Sequence, residues 1–234
     1  MVKYSSNQIL IIADHASNYL PKENYKLGLT SAFLNQHIAF DIGVKELSLD
    51  LSNRLKCKVI QGKYSRLLID LNRDLNDPTV IPEIVDGKII PGNIGLSKSE
   101  LRLRVKKIYN KYHHEINRTI KNKKIKVILS LHSFNPIFKN KRRTLEFGIL
   151  SNEDKNLSSI IINQLKLQKL NVGDNKPYSG NLIGDSMYRH GLRNKLPHAL
   201  IEVRNDLLSN PTKIKRVSRL LHKTIVKSLK KLAS

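Results

Sequence analysis

The sequence predicts an α/β protein, a three-layer α/β/α sandwich whose central sheet is mixed and largely parallel. Two observations lead to this fold class. Short, β-branched apolar runs with almost no alternating polar residues recur along the 234-residue chain, which is typical of strands buried on both faces. Longer segments with apolar residues near a 3.6-residue period lie between these runs, and such alternation of strands and helices indicates βαβ units.

The apolar runs that have the length of buried strands lie at intervals along the whole chain. Length and composition suit one hydrophobic core, and no linker or internal repeat interrupts them, so we expect residues 1–234 to form a single domain. The predicted strands are residues 9–13, 58–60, 67–69, 127–131, 146–150 and 198–203.

Four segments have the pattern of amphipathic helices: residues 32–56, 99–121, 156–168 and 211–232. Ser97, followed three residues later by Glu100, has the form of a capping box that opens the second helix. The last segment starts with Pro211 and is rich in cations, which favours a docked terminal helix with a solvated face over a membrane-surface helix. Prolines and glycines within residues 72–93 predict a long loop.

The charge balance is strongly basic, with 42 Lys and Arg against 19 Asp and Glu and a formal net charge of +23. A charge of this size attracts polyanions and is compatible with nucleic-acid binding. The lysines are dispersed along the chain, however, and aromatic residues that could stack on bases are few. We therefore favour compositional drift or a general anion-attracting surface, and we do not expect nucleic acid as the partner.

Cysteine content and hydropathy exclude further classes of protein and predict the cellular location. Cys57 is the sole cysteine in the sequence, which excludes an intramolecular disulfide and a cysteine-based zinc knuckle. It lies late in an amphipathic stretch with no obvious base beside it, which predicts a buried thiol. No apolar run approaches the length of a membrane span or of a signal peptide, so we expect a cytoplasmic protein without membrane contact. Glycine-rich nucleotide motifs, H-E-x-x-H and G-x-S-x-G do not occur.

Polar residues gather where three predicted strands end. Asp14 and His15 follow the first strand, His132 follows the strand at 127–131, and Glu202 lies at the end of the last strand. Because ligands of open α/β sheets collect at the carboxyl ends of strands, these residues can converge. Two histidines and an oxygen ligand would hold zinc, with a carboxylate as general base, although single strand-end histidines are often structural.

A second polar cluster is the segment YSRLLIDLNRD, residues 64–74. Its Arg66 and Arg73 could bind a substrate carboxylate or a developing negative charge, because guanidinium groups present a planar fork of donors. The alternative is that these arginines form structural ion pairs with Asp70 and Asp74. The charge pattern by itself leaves both interpretations open.

Short motifs occur in a fixed order over residues 9–208: DHASNYLP, HIAFDIGV, YSRLLIDLNRD, IYNKYHHEI, LHSFNP, PYSG, HG and IEVRNDLL. This ordered set resembles the N-formylglutamate amidohydrolase family. The resemblance implies a phosphorylase/hydrolase-like sandwich similar to zinc carboxypeptidases and aspartoacylases, with one Zn²⁺ at the sheet ends. It also implies hydrolysis of a small-molecule N-acyl amino acid, with N-formyl-L-glutamate giving formate and L-glutamate in histidine degradation as the type reaction.

The carboxypeptidase relatives carry a histidine with a glutamate three residues later, and here the matching positions are His15 and Asn18. The second histidine of the pattern matches His132. An amide oxygen binds zinc less well than a carboxylate, so the resemblance leaves Asn18 as an uncertain third ligand, with Asp14 or Asp41 as alternatives.

The resemblance matches Asn72, Arg73 and Glu202 to further positions of the family pattern, and the roles of the other site residues are our hypothesis. Glu202 would be the general base and acid, and Arg66 would stabilise the oxyanion. The expected substrate-binding residues are Asn72, Arg73, Tyr178, Ser179, His190 and Arg204. Two other interpretations stay open at this point: a basic nucleic-acid-binding module, and a regulatory relative that lost its metal because Asn18 replaced a carboxylate.

Overall fold

The computed structural model describes residues 4–22 and 27–233. The strands in these residues are β1 (Ile9–Ala13), β2 (Lys58–Gln61), β3 (Ile84–Val85), β4 (Lys88–Ile89), β5 (Val127–Phe134), β6 (Ile137–Phe138), β7 (Lys141–Arg142), β8 (Phe147–Leu150), β9 (Val172–Asp174) and β10 (His198–Arg204). The α-helices are α1 (Ser31–Leu34), α2 (Val44–Leu55), α3 (Lys98–Arg104), α4 (Asn110–Lys123), α5 (Asn156–Lys166) and α6 (Pro211–Leu232).

The central sheet has the order β2–β1–β5–β10–β8–β9. The first four of these strands run parallel, β8 is antiparallel to β10, and β9 is parallel to β8. The predicted mixed, largely parallel sheet is therefore confirmed. Because β1, β5 and β10 are parallel neighbours, their carboxyl ends share one edge of the sheet.

Helices cover both faces of this sheet, as the sequence predicts for a three-layer sandwich. Alternate residues of a strand point to opposite faces, and β1 divides its side chains accordingly. Ile11 and Ala13 belong to the apolar cluster that contains residues of α2, α5 and α6. Leu10 and Ile12 belong to the opposite cluster, which contains Tyr112 of α4.

The terminal helix α6 packs against α2 and α5 through an apolar stripe that includes Leu221 and Ile225, both fully buried. The prediction of a docked helix with a solvated face is confirmed. None of the helices within residues 4–22 and 27–233 is long and apolar enough to cross a lipid bilayer.

The helix predicted after Ser97 forms with its capping box. Glu100 N donates to Ser97 Oγ at 3.3 Å, and Ser97 N donates to the Glu100 carboxylate at 2.9 Å. The helical segment covers residues 98–123, slightly more than the predicted 99–121, and a π-helical turn, Val105–Tyr109, joins α3 to α4 within it.

The predicted strand at 67–69 is wrong, since these residues form a buried turn. Leu67 and Leu68 pack in a third apolar cluster beside α1. Side chains replace a strand partner here: Asn93 donates to Leu67 O, and Arg104 donates to Leu68 O. A short apolar run predicts burial, but it does not distinguish a strand from a turn whose carbonyls are satisfied in this way.

The single helix predicted at 32–56 is also wrong, because α1 ends at Leu34 and α2 begins at Val44. Gly43 precedes α2 with a φ of +80°, a conformation that favours glycine and breaks the helix. The interruption has a functional consequence, since it contains Asp41.

Candidate active site

The carboxyl edge of the sheet brings together the residues that the sequence places at strand ends. Asp14 and His15 follow β1 directly, whereas His132 lies inside β5, which extends three residues further than predicted to include Ser133. Glu202 of β10 is the register partner of His132. The side chains of Asp14, His15, His132 and Glu202 are all buried.

His15, Asp41 and His132 form what we call the histidine–aspartate cluster. One potential ligand atom from each residue lies within 4.8 Å of the other two, and all three side chains are buried. The Nδ1 atom of His132 is 2.8 Å from Asp41 Oδ2, and the Nδ1 atom of His15 is 3.6 Å from the same oxygen. Imidazole nitrogens and a carboxylate oxygen are ligands that zinc accepts.

Two further carboxylates orient the histidine rings of the cluster. Asp70 Oδ1 is 2.7 Å from His15 Nε2, and Asp14 Oδ2 is 3.2 Å from His132 Nε2. Each ring therefore has a carboxylate at Nε2 and directs Nδ1 toward Asp41. This is the arrangement that fixes the tautomer of metal-binding histidines.

The donor set of the cluster fits a divalent metal. His15 Nδ1 is buried without a hydrogen-bond partner among residues 4–22 and 27–233, although burial of an unpaired imidazole nitrogen costs free energy. A ligand at this point would satisfy the nitrogen, and Asp41 and His132 offer the other two donors. A three-ligand set leaves a coordination position open for water or substrate, as catalytic zinc sites do.

Asp41 reaches the cluster because the chain turns back between α1 and α2. Its backbone N–H donates to His15 O at 2.9 Å, and Ser133 N donates to its carboxylate at 3.3 Å. Arg66 forms an ion pair with the other oxygen of Asp41. Burial raises the pKa of Asp41, but Arg66 and His132 outweigh it and hold the pKa well below its usual value. The carboxyl is therefore ionised.

The pKa values of the two histidines shift upward, opposite to that of Asp41. Burial lowers the pKa of His15 and of His132, but the carboxylates of Asp70, Asp14 and Asp41 outweigh it, so both pKa values are raised. Burial likewise raises the pKa of Asp70, yet the neighbouring His15 brings it down to about 2. The site thus concentrates negative charge around two nitrogen donors, which favours a cation.

Glu202 lies next to the cluster in a different electrostatic environment. Its Oε2 is buried with no hydrogen-bond partner in the described part of the chain, and burial raises the pKa of Glu202 to about 7. A carboxyl with a pKa near neutrality can both accept and donate a proton.

A cavity of about 400 Å³, which we call the inner cavity, opens over the cluster. Arg66, Arg73 and Asn72 line it, as do Tyr178 and Ser179. Five of the expected catalytic and substrate-binding residues, together with Glu202, therefore face one space beside the histidine–aspartate cluster.

Three expected site residues lie elsewhere. The Nδ2 of Asn18 donates to Leu34 O at 3.1 Å and to Asn35 Oδ1 at 3.0 Å, so the structure does not bring Asn18 into the cluster. His190 is fully buried against His113, with Nε2 2.8 Å from Nδ1 of that ring.

Arg204 does not line the inner cavity either. Its guanidinium pairs with Asp206 at 2.8 Å and donates to the backbone carbonyls of Arg143, Thr144 and Leu145. These bonds tie the end of β10 to the chain that precedes β8. We assign Arg204 a structural contact rather than a place at the substrate.

Sequence reasoning missed the partners that organise the site. The charge pattern suggests Asp70 only as an ion-pair partner of an arginine, but it bonds His15. Ser186 has no sequence signal: its Oγ donates to Asp14 Oδ1 at 2.6 Å, and its N–H donates to Asn72 Oδ1 at 2.9 Å. Ser186 thereby connects Asp14, which orients His132, with Asn72, an expected substrate-binding residue.

This fold and this cluster define an α/β enzyme whose site is suited to a divalent metal. The sequence profile of the N-formylglutamate amidohydrolase family matches residues 7–209, most of the chain. The chain belongs to the N-formylglutamate amidohydrolase family, and it is an amidohydrolase by class.

Two solved structures are similar over nearly the full length. A gene product of Agrobacterium tumefaciens is 27% identical with a TM-score of 0.93, covering 97% of this chain and 92% of that one. An N-formylglutamate amidohydrolase from Ralstonia eutropha JMP134 is 16% identical with a TM-score of 0.69, covering 99% and 96%. No curated protein matches the sequence significantly. At these sequence identities, the two similarities are evidence for the fold of this chain.

Proposed function

We propose that the protein is a zinc-dependent amidohydrolase that cleaves the amide bond of an N-acyl amino acid, with N-formyl-L-glutamate as the type substrate. The observation that carries this proposal is the histidine–aspartate cluster beside the unpaired carboxyl of Glu202. Family membership supports amide hydrolysis as the reaction class. The cytoplasmic location, expected from hydropathy, and the place in histidine degradation, implied by the family resemblance, stay predictions.

The ligand set in this proposal is His15, Asp41 and His132, each with the atoms described above. When bound, a zinc ion supplies Lewis-acid polarisation of a carbonyl and acidifies water. Asp41 provides the carboxylate that Asn18 lacks, which weakens the alternative of a relative that has lost its metal through Asn18. Asp70 and Asp14 keep the two histidine rings in the tautomer that presents Nδ1.

Glu202 is the proposed general base and acid. It takes a proton from the attacking water, and it delivers that proton to the nitrogen of the leaving amino acid. A pKa of about 7 suits both transfers near neutral pH, because the carboxyl is then poised between its two protonation states.

Arginines hold the substrate in this proposal. The Nε–H of Arg66 is buried without a partner among the described residues, and it is available to the oxyanion that develops on the scissile carbonyl. Arg73 and Asn72 line the same cavity and are assigned to the substrate carboxylate. Tyr178 and Ser179 contribute further wall of this cavity.

The first prediction is the loss of activity in a Glu202→Gln variant. Zinc-loaded wild-type protein is expected to release formate from N-formyl-L-glutamate, and the variant, which lacks the proton-transferring carboxyl, should be slower by about 10²- to 10⁴-fold. Formate release is measured with a coupled dehydrogenase assay, and zinc content is measured on the same samples.

The matched control is Glu153→Gln, because Glu153 is exposed and does not line the inner cavity. This variant should keep wild-type activity. A Glu202→Gln protein that retained full activity with zinc bound would contradict the proposed role of Glu202.

A further inference from the structure

A second cavity adjoins the inner cavity and is not used by the proposed reaction on N-formylglutamate. This outer cavity has about 410 Å³ and shares four wall residues with the inner one: His37, Arg66, Arg73 and Tyr178. Its other walls come from residues 79–86, which include β3, and from residues 135–143, which include the β6–β7 hairpin. The inner cavity alone is large enough for an amino-acid derivative.

One wall of the outer cavity contains Arg143 together with the aromatic rings of Phe138 and Tyr178. The guanidinium carbon of Arg143 lies 4.7 Å from the ring centre of Phe138, 5.2 Å from that of Tyr178 and 5.4 Å from that of Phe134. Arg143 Nη1 also donates to Tyr178 Oη at 3.2 Å and to Asn135 O at 3.2 Å. These contacts hold the guanidinium group in place, so the wall offers a preorganised cation and aromatic rings to a planar ligand.

Apolar side chains at the mouth of this cavity are exposed. Phe138 is 51% exposed, Ile84 is 62% exposed and Tyr178 is 40% exposed, and they come from three separate loops or hairpins. Exposure of large apolar groups around a cavity is typical of a ligand site. The outer cavity therefore combines an aromatic and cationic wall with an apolar rim.

We propose that the preferred substrates of this enzyme are N-acyl amino acids whose acyl group is aromatic and planar, and that the formyl compound is hydrolysed less efficiently. The inference rests on the proposed function. Arg66, assigned to the carbonyl oxygen, and Arg73, assigned to the substrate carboxylate, line both cavities, so a substrate held by the two arginines lies where the cavities meet. In this proposal the acyl group, which is bonded to the carbonyl carbon beside Arg66, extends into the outer cavity, where an aromatic ring stacks on Arg143 and Phe138.

The test compares kcat/KM of the zinc-loaded wild-type enzyme for N-formyl-, N-acetyl- and N-benzoyl-L-glutamate. N-benzoyl-L-glutamate is expected to exceed the formyl compound by about tenfold, the effect of one aromatic stacking contact with the buried area that accompanies it. The comparison is demanding, because a formyl amide is the less hindered electrophile.

A variant pair locates the effect. Phe138→Ala should lower the ratio of benzoyl to formyl kcat/KM by about tenfold, since it removes one aromatic ring from the wall of the outer cavity. Ile137→Ala is the matched control: it lies next to Phe138 on β6 and is 56% exposed, but it lines neither cavity, so the ratio should not change. Thermal unfolding checks that both variants are folded.

Other outcomes separate the two proposals. Formate release that equals or exceeds benzoate release in kcat/KM would overturn the aromatic-acyl inference and leave the amidohydrolase proposal standing. An unchanged ratio in folded Phe138→Ala protein would overturn the aromatic-acyl inference in the same way. Hydrolysis of none of the three compounds by zinc-loaded protein would overturn the proposed function itself.

Discussion

Asp41 lies beside His15 and His132 in the cluster, where the sequence spacing predicts Asn18. The carboxypeptidase spacing places the third ligand three residues after His15, but the amide of Asn18 bonds the end of α1 instead. Asp41 becomes the neighbour of His15 through a backbone hydrogen bond between the two residues. The sequence suggests Asp41 as one alternative third ligand. Preferring it to Asn18 requires the chain reversal between α1 and α2, which no local sequence pattern predicts.

Ion-pair partners at the site are equally hard to choose from the sequence. Arg66 and Asp70 are four residues apart, which suggests a direct pair, yet Arg66 pairs with Asp41 and Asp70 bonds His15. Asp74 pairs with Arg189, which lies in the last third of the chain. Several partners of opposite charge are available to each group, and long-range packing determines the pairs.

Cys57 allows a prediction at the scale of one residue. Burial raises the pKa of its thiol to about 12, whereas a free cysteine titrates near 8.5. At about pH 8 the native thiol stays protonated, and the thiolate is the reactive form. We expect Ellman's reagent to modify native protein at least about tenfold more slowly than urea-unfolded protein. Cys57 is partly buried, less than the sequence predicts, and equal rates in the two states would contradict the protection of this thiol.

At the scale of elements, β-branched apolar runs predict the central strands well. β1 has the predicted bounds, and β5, β8 and β10 each differ from theirs by one to three residues at one end. These strands are buried on both faces, as the near absence of polar residues in the runs predicts. The three-residue strand β9 is missed, because Val172–Asp174 has neither an apolar run nor alternation.

Helix prediction fails where the structure departs from local preference. The apolar period of residues 32–56 continues across the gap between α1 and α2. Phe33 of α1 and Val44 of α2 are both buried, but they belong to different apolar clusters. Gly43 is the sequence feature that marks the break. The segment between the helices then supplies Asp41 to the site.

The docking of α6 leads to a prediction at this scale. Leu221→Ala should lower the free energy of unfolding by about 2–5 kcal/mol. Leu221 of α6 is fully buried in the apolar cluster that contains residues of α2, α5 and the sheet, and its truncation leaves a cavity there. Urea unfolding followed by circular dichroism measures the change.

The matched control for this substitution is Leu167→Ala, which follows α5 at a position 76% exposed and should change stability by less than about 0.5 kcal/mol. Similar destabilisation by both variants would contradict the assignment of α6 to the core.

At the scale of the whole molecule, sheet topology explains how the site forms. The sequence predicts that polar residues at strand ends converge, because ligands collect at the carboxyl edge of parallel strands. The order β2–β1–β5–β10 makes β5 the neighbour of both β1 and β10, and so places His132 between His15 and Glu202. Strand order itself depends on long-range pairing, which the sequence pattern does not specify.

The net charge of +23 has a local counterpart in the arginines of the two cavities, Arg66, Arg73 and Arg143. They suit an anionic substrate of small size, whereas the rest of the charge is dispersed. The expectations that residues 1–234 form one domain and that nucleic acid is not a partner stay predictions.

The most direct test of the metal site is equilibrium zinc binding by competition with a chromogenic chelator. Wild-type protein is expected to bind one zinc ion per chain. Asp41→Asn should lose more than about 100-fold in affinity, beyond the loss typical of residues that only orient a ligand, whereas Asn18→Ala should bind like wild type. Absence of zinc binding by the wild type, or loss of zinc in Asn18→Ala with retention in Asp41→Asn, would contradict the histidine–aspartate cluster as the metal site.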